Sequence, residues 1–126
     1  YLSQQHGNLM FLCGFSAMLG HVYPIFYNFK GGKGAGTLLG VLIIVNPQSV
    51  LFLLSSWIIV LIMTGFVGLS TIIACAVLIL YSFSSNISFI IFSIIAFIFI
   101  LFTHRTNIKR MRDGEENQFK KIMLFK

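Results

Sequence analysis

Charge is what this sequence lacks most. Of its 126 residues only 10% are Asp, Glu, Lys or Arg, against about 25% in an ordinary soluble domain. The acidic side is nearly empty: Asp113, Glu115 and Glu116 are all there is, and they sit together near the C-terminal end. Between Ala35 and Thr103 no charged side chain of either sign occurs. A water-exposed surface cannot be covered from so small a supply, which excludes a soluble enzyme or a soluble nucleic-acid module. Cysteine is scarce too. Cys13 and Cys75 both fall inside apolar runs, so a disulfide scaffold is excluded and the two read as packing residues. Proline is confined to Pro24 and Pro47. No internal repeat is visible. No basic region precedes the first apolar run, so no signal peptide is expected, and the chain, which begins at Tyr1, reads as the later part of something longer.

What is present in abundance is hydrophobic surface, 57% of all residues. A helix that crosses a bilayer needs about 20 apolar residues, so the uncharged stretch alone has room for at least three crossings. An open sheet in lipid would leave its edges unsatisfied, so the segments are expected to be helices. The sequence therefore reads as an all-α integral membrane protein. A single membrane domain over 1–126 is expected, with about five transmembrane or partly spanning helices at 9–26, 35–45, 50–63, 69–83 and 87–102. A short basic cytoplasmic tail, 104–126, follows. Gly20 and Pro24, Asn46-Pro47, Thr64-Gly65 and Ser84-Ser85-Asn86 supply the breaks. The second segment is short for a full crossing.

The formal charge of +6 belongs to that membrane context rather than to nucleic acid, because Lys and Arg beside apolar segments mark the cytoplasmic side. Every Lys and Arg lies either in the loop holding Lys30 and Lys33 or beyond Thr103. An even number of apolar segments separates the two places. Parity and the positive-inside rule then put the loop, the 64–68 connection and the tail on the cytoplasmic face.

Three polar islands interrupt the apolar background. Phe29-Lys30-Gly31-Gly32-Lys33-Gly34-Ala35-Gly36-Thr37 opens directly into a helix. Glycines let backbone N–H groups converge on an anion, and a helix N-terminus and Lys33 add positive charge. Gly34 follows Lys33 where a Walker loop needs Ser or Thr, so it is not one. A phosphate site is the better reading, and a flexible turn whose lysines meet lipid headgroups is the other. His21, just upstream, is either an interfacial packing residue or a member of the same site, and His6 stays unassigned. In the tail, His104 and Asn107 are three apart and share one face of a continuing helix, suited to hydrogen bonding a reacting substrate. Arg105, Lys109 and Arg112 form a second stripe, read equally well as a basic segment snorkelling to lipid. Glu115 and Glu116 read as ion-pair partners of nearby Arg and Lys.

Taken in order, Gly20-His21-x-x-Pro24, Phe29 to Thr37, and His104-Arg105-x-Asn107-Ile108-x-Arg110 with Gly114-x-Glu116 resemble the bacterial acyl-phosphate:glycerol-3-phosphate acyltransferases of the PlsY type. The resemblance implies a multi-pass enzyme of the bacterial cell (inner) membrane, active site towards the cytoplasm. Such enzymes transfer a fatty acyl group from acyl phosphate to the 1-hydroxyl of glycerol 3-phosphate, giving lysophosphatidate and phosphate in phospholipid synthesis. It implies acyl phosphate, glycerol 3-phosphate and membrane lipids as partners, with the enzyme that supplies acyl phosphate as a further candidate, and no nucleic acid. No metal, coenzyme A or acyl-carrier protein is implied. His104 and Asn107 become the catalytic candidates. Lys30, Gly31, Gly32, Lys33, Gly34, Arg105 and His21 become the phosphate-binding ones. The base is either His104 or a phosphate oxygen of the donor. Two departures stand out. Nothing here matches the family's early Ser-Gly-Asn motif, so a preceding segment that carries it is expected. Val67 and Gly68 stand where hydroxyl residues are usual. The rival reading is a transporter or exchanger of an organic phosphate, whose site would lie near the bilayer midplane.

Overall fold

The computed structural model describes residues 2–119, with side chains from residue 8 onwards; the last part of the expected tail, 120–126, lies outside the described residues. Six helices follow one another: α1 Leu2–Val22, α2 Ala35–Val45, α3 Pro47–Thr64, α4 Val67–Ser82, α5 Ile87–Thr103 and α6 Arg105–Arg112. Among the described residues there is no strand. Each of the first five helices packs on its neighbours, α1 on α2 and α5, α2 on α3, α3 on α4 and α4 on α5, which makes a ring. α6 lies against α4 and α5.

The packing is that of a lipid-facing bundle. Ile44, Leu51, Leu80 and Ile98 stand exposed, whereas Ser49, Ser70, Ser82 and Ser93 are fully buried beside Met18, Leu42, Leu78 and Phe89. Small side chains let helices approach closely where lipid tails compete for apolar surface. The buried hydroxyls are largely satisfied within their own helices: Ser70 Oγ donates to Phe66 O at 2.8 Å and Ser82 Oγ to Ile79 O at 2.7 Å. Asn8–Tyr27 and Pro47–Thr64 are long and apolar enough to cross a membrane, and α5 with α6 makes a further span if the bent pair is one. α2 has 11 residues, a rise of about 16 Å, so it reaches roughly half-way through a hydrocarbon core.

Two boundaries depart from the sequence expectation. α1 stops at Val22 rather than running to 26, because Pro24 takes extended backbone (φ −71°, ψ 125°) and a single 3₁₀ turn, Ile25–Tyr27, follows. The helix expected to continue through the tail breaks at His104, where α5 and α6 are bent by 53°. The connection 28–34, the start of α4 and the α5–α6 joint all meet at one end of the ring. The turns at 46–49 and 83–86 meet at the other, where Tyr81 OH reaches Gln48 Oε1 at 3.4 Å.

Candidate active site

The glycine loop is shaped by the end of α1. Past the 3₁₀ turn, Asn28 and Phe29 both adopt left-handed backbone (φ 52° and 58°) and turn the chain back. Phe29 N–H then donates to Pro24 O at 3.0 Å, Gly31 N–H to Val22 O at 3.1 Å and Gly32 N–H to His21 O at 3.3 Å. A helix end leaves carbonyls without partners, and the loop answers them. Glycine is required for this approach: a Cβ on Gly31 would run into the His21 carbonyl oxygen, and one on Gly32 into the His21 ring.

This corrects the expectation that the amides of Gly31 and Gly32 converge on an anion. They are already committed to α1. The free amides come next. α2 starts after Gly34, which has φ 82° and provides no side-chain cap. Its first bond is Leu38 N–H to Gly34 O, so the N–H groups of Ala35, Gly36 and Thr37 have no acceptor within the helix.

The second wall is the α5–α6 joint. His104 sits at φ −94°, ψ 7°, and the carbonyl of Ile100 accepts from His104 N–H at 3.0 Å and His104 Nδ1 at 2.9 Å, with the Thr103 hydroxyl, whose single proton it shares with Lys33 O, at 3.0 Å. A carbonyl only accepts, so the proton of the neutral imidazole is on Nδ1 and Nε2 keeps a bare lone pair. Thr103 Oγ1 also reaches Lys33 O at 2.9 Å, which fastens the glycine loop to α5. After the bend, α6 turns Asn107 inward, and both His104 and Asn107 are buried.

The third wall is the start of α4. Asn107 approaches it so closely that a Cβ on Gly68 would stand 2.9 Å from Asn107 Cβ. The position that departs from the family's hydroxyl pattern is thus the one that lets α6 pack. Together these elements enclose a pocket of about 280 Å³ lined by Lys33, Gly34, His104, Asn107, His21 and Thr71, among others.

Across its rim runs a chain of polar contacts. Lys33 Nζ donates to Asn107 Oδ1 at 2.5 Å, Asn107 Nδ2 to Glu116 Oε1 at 2.5 Å, and Arg110 Nε to Glu116 Oε2 at 2.6 Å. Glu116 is therefore the ion-pair partner that the sequence indicated, and it also fixes which way the Asn107 amide faces. The bond from Arg110 holds the Glu116 carboxyl below its usual range despite some burial, with the Asn107 bond helping. The His104 imidazole is shifted down from its ordinary value of 6.5, first by burial and then by the Lys33 charge, against the opposing effects of the Ile100 bond and Glu116. A neutral imidazole with a free Nε2 accepts protons.

Not every expected residue is here. Arg105 is exposed, its Nη1 on Phe102 O at 2.9 Å and its guanidinium over the Phe102 ring; it does not line the pocket. Its long side chain folds back on α5 because the bend carries it to the outer face. Lys30 is likewise exposed and away from the lining. Thr71 and Thr103 were not singled out from the sequence, and Gly68 only as a departure from the family's hydroxyl pattern. Each acts through a partner distant along the chain, so local spacing carried no signal of it.

A family described as glycerol-3-phosphate acyltransferase matches residues 1–114. The glycerol-3-phosphate acyltransferase of Finegoldia magna is 37% identical over 124 residues, covering 92% of this chain and 61% of that protein. That of Geotalea daltonii is 42% identical over 110 residues, covering 86% of this chain and 57% of the relative. The crystal structure of PlsY (YgiH), an integral membrane glycerol 3-phosphate acyltransferase, superposes in its glycerol 3-phosphate form with a TM-score of 0.81 at 34% identity, covering 86% of this chain and 55% of that one. Its lysophosphatidic acid form gives 0.79 at 34% identity, covering 83% and 55%. The chain spans less than two thirds of the length of each of these proteins. Sequence and backbone agree along nearly the whole of what is present, and the chain belongs to the integral membrane glycerol-3-phosphate acyltransferase family.

Proposed function

We propose that an enzyme carrying this chain transfers a fatty acyl group from acyl phosphate to the 1-hydroxyl of glycerol 3-phosphate. The observation that carries this is the meeting of Lys33, the open N-terminus of α2, His104 and Asn107 around one pocket. Lys33 and the amides of Ala35 to Thr37 hold a phosphate. His104 Nε2 takes the proton of the 1-hydroxyl as its oxygen attacks the acyl carbonyl, and Asn107 orients Lys33 and the substrate. The new ester C–O bond forms, the acyl–phosphate C–O bond breaks, and phosphate leaves with the electron pair and takes up the proton. Acyl phosphate is already an activated donor, so positioning and charge stabilisation are most of what the protein must supply.

The same reading includes one membrane domain over 1–126 in the bacterial inner membrane. The pocket faces the cytoplasm, since every charged side chain among the described residues lies at the pocket end. It draws acyl phosphate from the enzyme that makes it. The transporter reading is disfavoured because the polar residues gather at one end of the bundle rather than at its midplane. Membranes containing the full-length protein, given acyl phosphate and labelled glycerol 3-phosphate, are expected to form labelled lysophosphatidate. Vectorial uptake of label without lysophosphatidate would overturn the proposal.

A further inference from the structure

The α4 wall of the pocket is short of polar groups. The helix opens with Phe66, Val67, Gly68 and Leu69, none of which has a side-chain donor, although Val67 and Gly68 line the pocket. One turn further in, Thr71 returns to the same face, three residues after Gly68 and four after Val67. Among the described residues that line the pocket, it alone carries a hydroxyl. Thr64 and Ser70, the neighbouring hydroxyls, stand outside the lining and donate to Val60 O and Phe66 O, each at 2.8 Å.

The Thr71 oxygen is fixed while its proton is free to turn. From α3, Trp57 Nε1 donates to Thr71 Oγ1 at 3.2 Å, and the hydroxyl donates in turn to Val67 O at 3.0 Å. Inside a helix that carbonyl already accepts from Thr71 N–H, four residues on. The hydroxyl is therefore a second donor there, and the carbonyl stays satisfied without it. The other polar side chains of the pocket have their tasks: Lys33 and the open amides of α2 answer a phosphate, and His104 Nε2 answers the attacking hydroxyl. The acyl carbonyl oxygen also gains negative charge, as the new C–O bond forms, and needs a donor of its own.

We propose that Thr71 is a catalytic residue of the transfer, its hydroxyl donating to the carbonyl oxygen of the acyl phosphate as charge develops there, and that Trp57 positions it. The inference rests on the acyl-transfer reading and adds which group on α4 stabilises the oxyanion. The place suits the task. Thr71, with Ala35, Gly36 and Val67, also borders an apolar groove of about 310 Å³ between α2, α3 and α4. An acyl carbonyl joins a charged phosphate to an uncharged chain, so it belongs where a polar wall gives way to an apolar one. The hydroxyl keeps its proton throughout. When phosphate leaves and the ester carbonyl re-forms, the donation reverts to Val67 O.

The test uses the full-length enzyme with acyl phosphate and labelled glycerol 3-phosphate. Thr71→Val keeps the shape of the side chain and removes the hydroxyl. kcat is expected to fall by about tenfold to a hundredfold, the scale of a lost hydrogen bond to a charged oxygen. KM for either substrate should move by less than about threefold, as for an interaction made only in the transition state. Thr71→Ser should recover most of the rate. Thr71→Val also strips Trp57 Nε1 of its acceptor, so the substitution is repeated in a Trp57→Phe background, where the drop in kcat should persist. An unchanged kcat in Thr71→Val would overturn the proposal. So would a raised KM at unchanged kcat, which makes the hydroxyl a ground-state contact, or a loss that disappears in Trp57→Phe, which makes Thr71 a partner for the indole alone. Absence of acyl transfer in the unsubstituted enzyme is a different result and would overturn the reading on which the assignment rests.

Discussion

At the end of the bundle away from the pocket, the starts of α3 and α5 are closed by their own sequence. Asn46 Oδ1 accepts from Ser49 N–H at 3.2 Å and Pro47 occupies the first turn of α3. Asn86 Oδ1 accepts from Phe89 N–H at 2.9 Å at the start of α5. At the pocket end, α2, α4 and α6 begin after Gly34, Phe66 and His104, and none of these side chains caps its helix. The backbone problem is the same at both ends, N–H groups without partners. One end solves it internally with neutral Asn caps worth about 1 kcal/mol each. The other leaves α2 open beside Lys33, where the phosphate of the proposed function would supply what a cap does. One end closes its helix starts, and the other leaves them open at the pocket.

That contrast breaks most decisively at His104. In the full-length enzyme His104→Ala is expected to lower kcat by about a hundredfold to ten-thousandfold, the range for loss of a general base. The pH profile supplies the sign. Burial favours the neutral imidazole, so activity should hold as pH falls through 6.5 and decline only below it, and the variant should lack that limb. The same shift makes the unfolded chain bind the extra proton first, so this contribution to stability is present above pH 6.5 and is lost as pH falls. A limb above 6.5 that depends on His104 would mean the imidazole is charged in the resting pocket.

A comparison within the basic residues sharpens it further. Lys33→Ala is expected to reduce kcat/KM by about tenfold to a hundredfold, as for a lost charge-assisted contact of about 1.5–3 kcal/mol. Arg105→Ala, whose side chain rests on Phe102 outside the pocket, should change it by less than about threefold, on the scale of an exposed charge. Equal losses would bring Arg105 back as a phosphate ligand. The smallest effect belongs to the far end. Asn86→Ala should lower unfolding stability by about 1 kcal/mol while leaving kcat/KM for both substrates unaltered, measured in detergent by thermal unfolding and initial rates.

Much of this was legible beforehand. The five apolar segments became five helices because breakers are local: Pro24, Pro47, Gly65 and Asn86 act on their own backbone. Lys33, His104 and Asn107 were also readable, since a charge or an imidazole beside an apolar run is conspicuous. The role of the glycines was only half legible. That the loop needs Gly31 and Gly32 followed from the sequence, but that their N–H groups serve α1 rather than an anion depended on where His21 and Val22 place their carbonyls. Arg105 and Lys30 were assigned from charge and the family resemblance together, and neither says which side of a bend a side chain leaves by.

The sequence by itself determined the solvent, the helical class and the end of the bundle at which the polar and charged residues gather, because each follows from composition and from patterns a few residues long. Only the tertiary structure decided which polar groups share a pocket. Thr103 on the loop carbonyl, Gly68 under Asn107 and Thr71 between pocket and groove are contacts between residues tens of positions apart. Such contacts depend on the ring closing and on α6 turning 53° away from α5. The bend itself comes from His104 and Thr103 drawing on the Ile100 carbonyl, a competition between side chain and helix that spacing alone does not resolve.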